Sequence, residues 1–356
     1  MSCRAMSDRY AAFIEAPPVV DAPFYFPLTD KGYEIKPGFT RFGTEMGNGA
    51  VDGLLFQIDS AFAQWRQVKE YARSERLGKY WCRRDLSPAV ETSIAHFFVE
   101  QLLREHPALF RLEKNGQGCA LHCGLTQEVL RFDGSMRLVD AQQRGAGPPY
   151  DGALDALACQ VQEDWAITCR RNGREWLAAV HLCSANHWAA EEKIGQDFTT
   201  IHAPVAGMEA LNARAEVFVQ TMIEKGPFVR FAWGLSTDQR LNHHPQPPSG
   251  VDAEAWYGRN FNADRPALYM RVERQVLWPF RQQDASFFAI RPYFYDCAQL
   301  DRHQRNQLAD ALEGMSSATL EYKGLGEGQS AMCHWLRHGQ QDGPPQQICN
   351  GRTEIE

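Results

Sequence analysis

The sequence predicts an α+β chain built around a five-stranded antiparallel sheet with a helical insertion between its second and third strands. Three observations carry this. Trp165-Ala-Ile-Thr-Cys169 and Trp176-Leu-Ala-Ala-Val-His-Leu-Cys183 flank Arg171-Asn-Gly-Arg174, and Asn-Gly supplies the two positive-φ positions of a tight hairpin. Leu211 to Lys225 carries Ala215, Val217, Phe218, Met222 and Ile223 at helical spacing and closes on Gly226-Pro227. Phe228 to Leu235, Leu268 to Trp278 and Ser286 to Tyr295 are rich in aromatic and β-branched residues and read as three further strands.

Taken in order, Met1 to Phe42 is rich in proline, aromatic residues and turn formers, which suggests an arm wrapped on a core. Val51 to Ser74 places Leu54, Leu55, Ile58, Phe62 and Trp65 at helical spacing, with Gly78 beyond its end, and Val90 to Glu105 repeats the period with Ile94, Phe97, Phe98 and Leu102. The N-terminal portion is therefore expected to be mainly helical. Ala146-Gly-Pro-Pro-Tyr150 breaks the chain, and three parts are expected: 1–158 as arm and helices, 159–297 as the sheet domain, and 298–356 as a C-terminal helix (Leu300 to Met315) with a loop-rich extension from Gly324. Within the middle part, Glu191 to Ile201 has short helical character. Asn242-His-His-Pro-Gln-Pro-Pro248 lies in a long polar connection. Two strands, helices, then three strands is the layout of a PAS domain, a small α+β fold that holds haem or flavin between its helices and sheet.

Composition narrows the classes. The 356 residues are 44% apolar and 23% charged, as in folded soluble proteins and unlike disordered or coiled-coil chains. The charge sum is 37 − 44 = −7, a field that repels phosphate backbones, so no nucleic-acid partner is expected. No window approaches about 18 uninterrupted apolar residues, and no apolar signal core precedes Glu15; a cytoplasmic protein with no membrane partner is expected. The ten cysteines are scattered, and the close pair Cys119 and Cys123 lacks the second half of a zinc site, so reduced thiols are expected. There is no P-loop, Gly-x-Gly-x-x-Gly after a strand, Gly-x-Ser-x-Gly elbow, His-Glu-x-x-His or Cys-x-x-Cys-His.

Among histidines, His202 follows Phe198 and Ile201 where a helix ends against Ala203-Pro204-Val205. A neutral imidazole there could ligate haem iron or rest as a core residue bonded to a backbone carbonyl. His187 and His181 are weaker candidates, His96 and His106 are expected to be satisfied or solvated, and His243 and His244 are expected in a solvated loop. In Arg271-Val-Glu-Arg-Gln275, strand alternation puts Arg271, Glu273 and Gln275 on one face and Arg274 on the other. These ions form either cross-strand pairs or a polar wall around a ligand. Arg230, between Val229 and Phe231, allows the same two readings. Gln162-Glu-Asp-Trp165 and Glu191-Glu-Lys-Ile-Gly195 look like solvated charge.

The ordered set Val161-Gln-Glu-Asp164, Trp188-x-x-Glu191-Glu-Lys-Ile-Gly195, Ile201-His-Ala-Pro-Val205, Arg271-Val-Glu-Arg-Gln-Val-Leu277 and Phe288-x-Ile-Arg291 resembles the haem-dependent oxidative N-demethylase α-subunit family, as do the upstream helices with Ile58-Asp59. The resemblance implies a PAS-like domain binding haem b, in an enzyme that uses O₂ and NADPH-derived electrons to demethylate a small secondary amine, dimethylamine, releasing formaldehyde and methylamine. It implies FMN, a 2Fe–2S centre and tetrahydrofolate on partner subunits, a flavin/iron-sulfur reductase and a folate-binding subunit. It makes His202 the axial ligand with His187 in reserve, Lys193 and Arg271 cofactor-binding, Arg230 and Arg274 the side chains that polarise oxygen, and Glu273 the acceptor for the ammonium. The sequence departs from the family pattern at Leu277-Trp-Pro-Phe280 and at His187 before Trp188, which bears on the identity of the amine. A haem-binding PAS gas or redox sensor and a non-haem structural subunit are the alternatives; the chain shows no heptads or output module that a sensor would carry.

Overall fold

A computed structural model describes residues 22–29, 32–33, 38–116, 118–145 and 147–339. Among these residues β1 (Thr40–Arg41), β2 (Trp81–Arg83), β7 (Asp164–Arg171), β8 (Arg174–His181), β9 (Phe228–Ser236), β10 (Tyr269–Phe280) and β11 (Ala285–Asp296) form one antiparallel sheet in the order β1-β9-β10-β11-β7-β8-β2. The hairpin β7–β8 turns on Asn172 and Gly173, both at positive φ (53° and 76°), because a primed turn matches the right-handed twist of its strands. The five strands expected from the sequence lie side by side. The expectation of a five-stranded sheet is nevertheless corrected, since two short strands lengthen it at either end to seven.

A second correction concerns the N-terminal portion, which is not mainly helical. β3 (Phe110–Asn115), β4 (Gly118–Cys123), β5 (Glu128–Asp133) and β6 (Leu138–Gln142) form a separate four-stranded meander. In β5 burial alternates residue by residue, with Glu128, Leu130 and Phe132 inward, so the strand period is present in the sequence. It was obscured because an inward position is filled by Glu128 rather than an apolar residue.

Helix α1 (Phe62–Tyr80) and helix α2 (Pro88–Glu105) pack beside these sheets. α1 starts later than expected and runs past Gly78, with a break in helical dihedrals at Arg76. Its buried face carries Arg66, Lys69 and Arg73 beside Trp65 and Ala72. Each cation is spoken for: Arg66 pairs with Glu128 at 2.8 Å, Lys69 donates to the carbonyls of Ala158 and Glu163, and Arg73 makes a two-pronged pair with Asp155 at 2.9 and 2.7 Å. Asp155 lies in α3 (Ala153–Ala158). Gln162, Glu163, Asp164 and Trp165 are fully buried in this polar core, which corrects their reading as solvated charge. Asp164 accepts from the amides of Cys183 and Ser184 at 3.0 and 2.6 Å.

The described part of the arm packs on the core, while residues 1–21, 30–31 and 34–37 lie outside the described residues. Tyr25 is buried, its amide bonds Tyr295 Oη at 3.0 Å and its hydroxyl bonds Asp52 at 2.9 Å. At the other end, α9 (Arg302–Glu313) confirms the helix expected there, but α10 (Ser317–Tyr322) and α11 (Gln329–His338) replace part of the expected loop-rich extension; residues 340–356 lie outside the described residues. All the cysteines described are free thiols, Cys119 and Cys123 included. No helix among the described residues is long and apolar enough to cross a membrane.

His181 ends β8 fully buried, and its Nε2–H donates to Asp155 at 3.3 Å. Burial holds its pKa below the ordinary histidine value, while its hydrogen bond and those from Arg73 hold Asp155 at about 2 against the cost of burial. A histidine buried neutral must take up a proton to match the unfolded chain, so the stability it contributes is full above its unfolded pKa of about 6.5 and declines as pH falls below it. The gap in unfolding free energy between the wild type and His181→Gln should therefore narrow by up to about 1 kcal/mol per pH unit on acidification below pH ~6.5. Urea titrations at pH 7.5 and 5.0 that show the same gap would refute this.

Candidate functional site

Strand alternation gives the large sheet two unlike faces. Arg271, Glu273 and Gln275 of β10 stand opposite Gly234, Ala232 and Arg230 of β9 and Phe294, Pro292 and Ile290 of β11. This face is covered by the segment between β8 and β9, which contains α4 (Ala190–Lys193), α5 (Phe198–His202), α6 (Glu209–Asn212) and α7 (Ala215–Glu224). α7 seals one end, where Phe218, Met222 and Ile223 pack with Phe198 against Leu277 and Phe288. Away from that seal the cover is loose. In the central strand β11, Phe287, Ala289, Arg291, Tyr293 and Tyr295 on the opposite face are buried, whereas Phe288, Ile290 and Phe294 on the helix-facing side are half-buried. A Cβ added to Gly234 would meet nothing within 4 Å. At these positions the helix-facing side is less tightly covered than the opposite face, while Arg271, Gln275, Leu277 and Pro292 on the same side are buried.

His202 stands on this side of the sheet, within electrostatic reach of Arg230 and Lys193. It is half-buried at the end of α5, its ring tilted on Phe198 with centroids 4.1 Å apart. Its Nδ1 lies 2.8 Å from the Phe198 carbonyl oxygen. A carbonyl only accepts, so Nδ1 carries the proton and Nε2 keeps its lone pair. Burial first, then the charges of Arg230 and Lys193, push its pKa down despite the bond to Phe198, which keeps the ring neutral. Asp197 starts the helix that places it, accepting from the Thr200 amide at 2.7 Å.

The structure brings Arg230, Lys193 and Glu273 to the same side as His202. Arg230 is half-buried, its Nε is buried without a hydrogen-bond partner, and burial lowers its pKa while Glu273 raises it. Glu273 accepts from Gln275 Nε2 at 3.1 Å and lies 3.5 Å from Arg271. Arg271 is more committed than a free anchor: it donates to the carbonyls of Ser184 (2.6 Å) and Leu241 (3.1 Å), leaving only Nε buried and unpartnered. Arg274 is not brought to the site. It lies on the opposite face, donating to the carbonyls of Asp52 (3.1 Å) and Leu54 (2.8 Å), as the period of two requires.

His187 stands elsewhere along the same face. It has a left-handed backbone (φ 55°), stacks on His243 with centroids 5.4 Å apart, and is pushed to about 2 by burial and by Arg259, His243, Arg271 and Arg240. His243 and His244 are buried, not solvated. His243 donates from Nε2 to Asp238 at 2.8 Å, and His244 bonds Glu191 at 3.1 Å. The polar connection folds inward because these imidazoles meet carboxylates there, a tertiary match that local composition does not reveal. His181 belongs to the polar core, and His106 is satisfied by the Phe56 carbonyl at 2.7 Å.

Two cations that the sequence reading passed over complete the surroundings. Arg259 is half-buried and interacts with Tyr257 and Tyr322. Lys323 donates to the Trp233 carbonyl at 2.9 Å, with Tyr33 and Trp233 rings 5.4 and 5.6 Å from its ammonium. Burial lowers its pKa to about 8. No spacing signal marks either residue, since both arrive on connections from distant parts of the chain.

The donor set suits an anionic, planar, apolar-bodied ligand with a soft demand for one nitrogen. Half-buried Ile201 and Phe288 offer apolar surface, a neutral imidazole offers Nε2, and Arg230 offers an orphaned donor. These features fit haem with its two carboxylates. Residues 51–333 match the sequence model of a family described as haem-dependent oxidative N-demethylase, alpha subunit-like.

Proposed function

The chain belongs to the haem-dependent oxidative N-demethylase alpha subunit-like family, and on that premise we propose that it is the catalytic subunit that binds haem b and demethylates a small secondary amine. The haem-binding unit is placed at 159–297 and read as PAS-like, a reading supported by the spatial order β9-β10-β11-β7-β8 with the helical insertion on one face. The observation that carries the proposal is the His202 ring, neutral, fixed by the Phe198 carbonyl and set beside Arg230 and Lys193.

In this reading His202 Nε2 would hold the haem iron, and the bond at Nδ1 would fix its tautomer and orientation, as partners of metal-binding histidines do. Arg230 and Lys193 would pair with the haem carboxylates; Arg274, on the other face, would have no part. Bound haem supplies the one-electron and O₂ chemistry. Glu273 receives the substrate ammonium and helps hold its N-methyl group in place, since a charged amine leaving water needs an acceptor. The products are formaldehyde and the demethylated amine. Electrons from NADPH arrive through a partner reductase with FMN and a 2Fe–2S centre, and tetrahydrofolate on a further subunit takes the one-carbon product. The setting is cytoplasmic.

Absorption spectra of the purified chain, oxidised and dithionite-reduced, with dimethylamine titrated into each state, test the proposal. A Soret band that shifts with the amine is expected. Protein expressed with ample haem that shows no Soret band would overturn it.

A further inference from the structure

The charge on the helix-facing side of the sheet is lopsided. Lys193, Arg230, Arg259 and Lys323 are all near it, and none is within 4.0 Å of a carboxylate among the described residues. Glu273 is the acid they share, acting on both Arg230 and Lys323, and it already lies 3.5 Å from Arg271. The other nearby acids are taken: Asp238 by His243 and Arg240, and Glu191 by His244 and Arg76. Two propionates would satisfy the pair beside His202, namely Lys193 and Arg230. Arg259 and Lys323 then remain without an anion.

Those two stand together. Gly324 follows Lys323 directly, and a Cβ there would meet Tyr257 Oη and lie 2.8–2.9 Å from the Arg259 side chain. Arg259 is half-buried and Tyr322 and Tyr257 are exposed, so this pair can be reached from solvent. A bare dialkylammonium would gain Glu273 but be repelled by the cations around it. A molecule with an ammonium and a carboxylate a few bonds apart would satisfy both.

We infer that the amine of this enzyme carries its own carboxylate: an N-methylated amino acid, its nitrogen at Glu273 and its carboxylate between Arg259 and Lys323. This rests on the haem and amine reading above and adds the substrate class to it. The low pKa of Lys323 agrees, since it reports a buried cation lacking a close anion.

The test uses the haem-loaded chain, with dimethylamine and N-methylglycine titrated by Soret perturbation and by calorimetry. N-methylglycine should bind at least about tenfold more tightly, the scale of one charge-assisted pair. The variant Arg259→Gln with Lys323→Gln should erase that preference while keeping the Soret band and leaving dimethylamine affinity within about twofold. Arg259→Gln alone, checked by circular dichroism, answers the question if the double variant does not fold. Equal or tighter binding of dimethylamine overturns the inference, as does a preference that survives the substitutions. Loss of haem from the variant also overturns it, because the pair would then be holding propionates. A Soret band indifferent to both amines sinks the demethylase reading beneath it, and is distinguishable from these.

Discussion

His202→Ala is expected to abolish or strongly shift the Soret band of the chain expressed with ample haem, while leaving its fold intact. The side chain is half-buried and makes one hydrogen bond, to the carbonyl of its own helix turn, so its loss should cost the protein about 1 kcal/mol of stability. In the proposed reading His202 alone would ligate the iron. His187 stacks on His243 in a different neighbourhood and is surrounded by arginines, so His187→Ala should keep the band. Added imidazole should restore a histidine-like spectrum to His202→Ala. A His202→Ala chain with an unchanged spectrum and full haem content would remove His202 as the ligand, and a band lost from His187→Ala instead would assign that role to His187.

Asp155→Ala should be among the most destabilising single substitutions, at about 3–5 kcal/mol, because it strands the buried Arg73 guanidinium. The carboxylate accepts both prongs of Arg73, the His181 ring and the Asp151 amide. Arg73 Nη1 is already buried without a partner, so no reserve of hydrogen bonding exists to absorb the loss. Against a usual total of about 5–15 kcal/mol, this is close to unfolding. Pairing Asp155→Ala with Arg73→Met should recover much of the deficit, since replacing both ions costs far less than removing one. Urea midpoints for the two single variants and the double variant measure this, and a single variant within about 1 kcal/mol of the wild type would show that the pair contributes little.

The large sheet was legible because its signals are local. Asn172-Gly173 names its own turn, and the aromatic and β-branched runs of β9, β10 and β11 need no knowledge of what they face. Alternation also separated Arg271 and Glu273 from Arg274 correctly, although it could not say which face would be less tightly covered. The meander 110–142 and the buried face of α1 were hidden for one physical reason. Glu128, Arg66, Lys69 and Arg73 are polar residues at inward positions, and only their partners, scores of residues away, explain why burial is tolerated. The same holds for His244, satisfied by Glu191 fifty-three residues away, while His243 is satisfied by nearby Asp238. At the site, His202, Lys193 and Glu273 were found from motif blocks and Arg230 from its place between Val229 and Phe231 on a strand, whereas Arg259 and Lys323 belong to no block and are placed by long connections.

The contrast between the large sheet and the helices that cover one of its faces has a kinetic meaning. β10 and β11 are twelve residues each, paired on both edges within the sheet, so their amide protons should exchange with solvent only when the whole molecule opens. The opposite wall is four helices of four, five, four and ten residues, too short to hold themselves without their packing. Exchange there proceeds through small local openings at far lower free energy. If haem and amine bind as proposed, they would enter through the layer that carries His202, while the strand that carries Glu273 stays still.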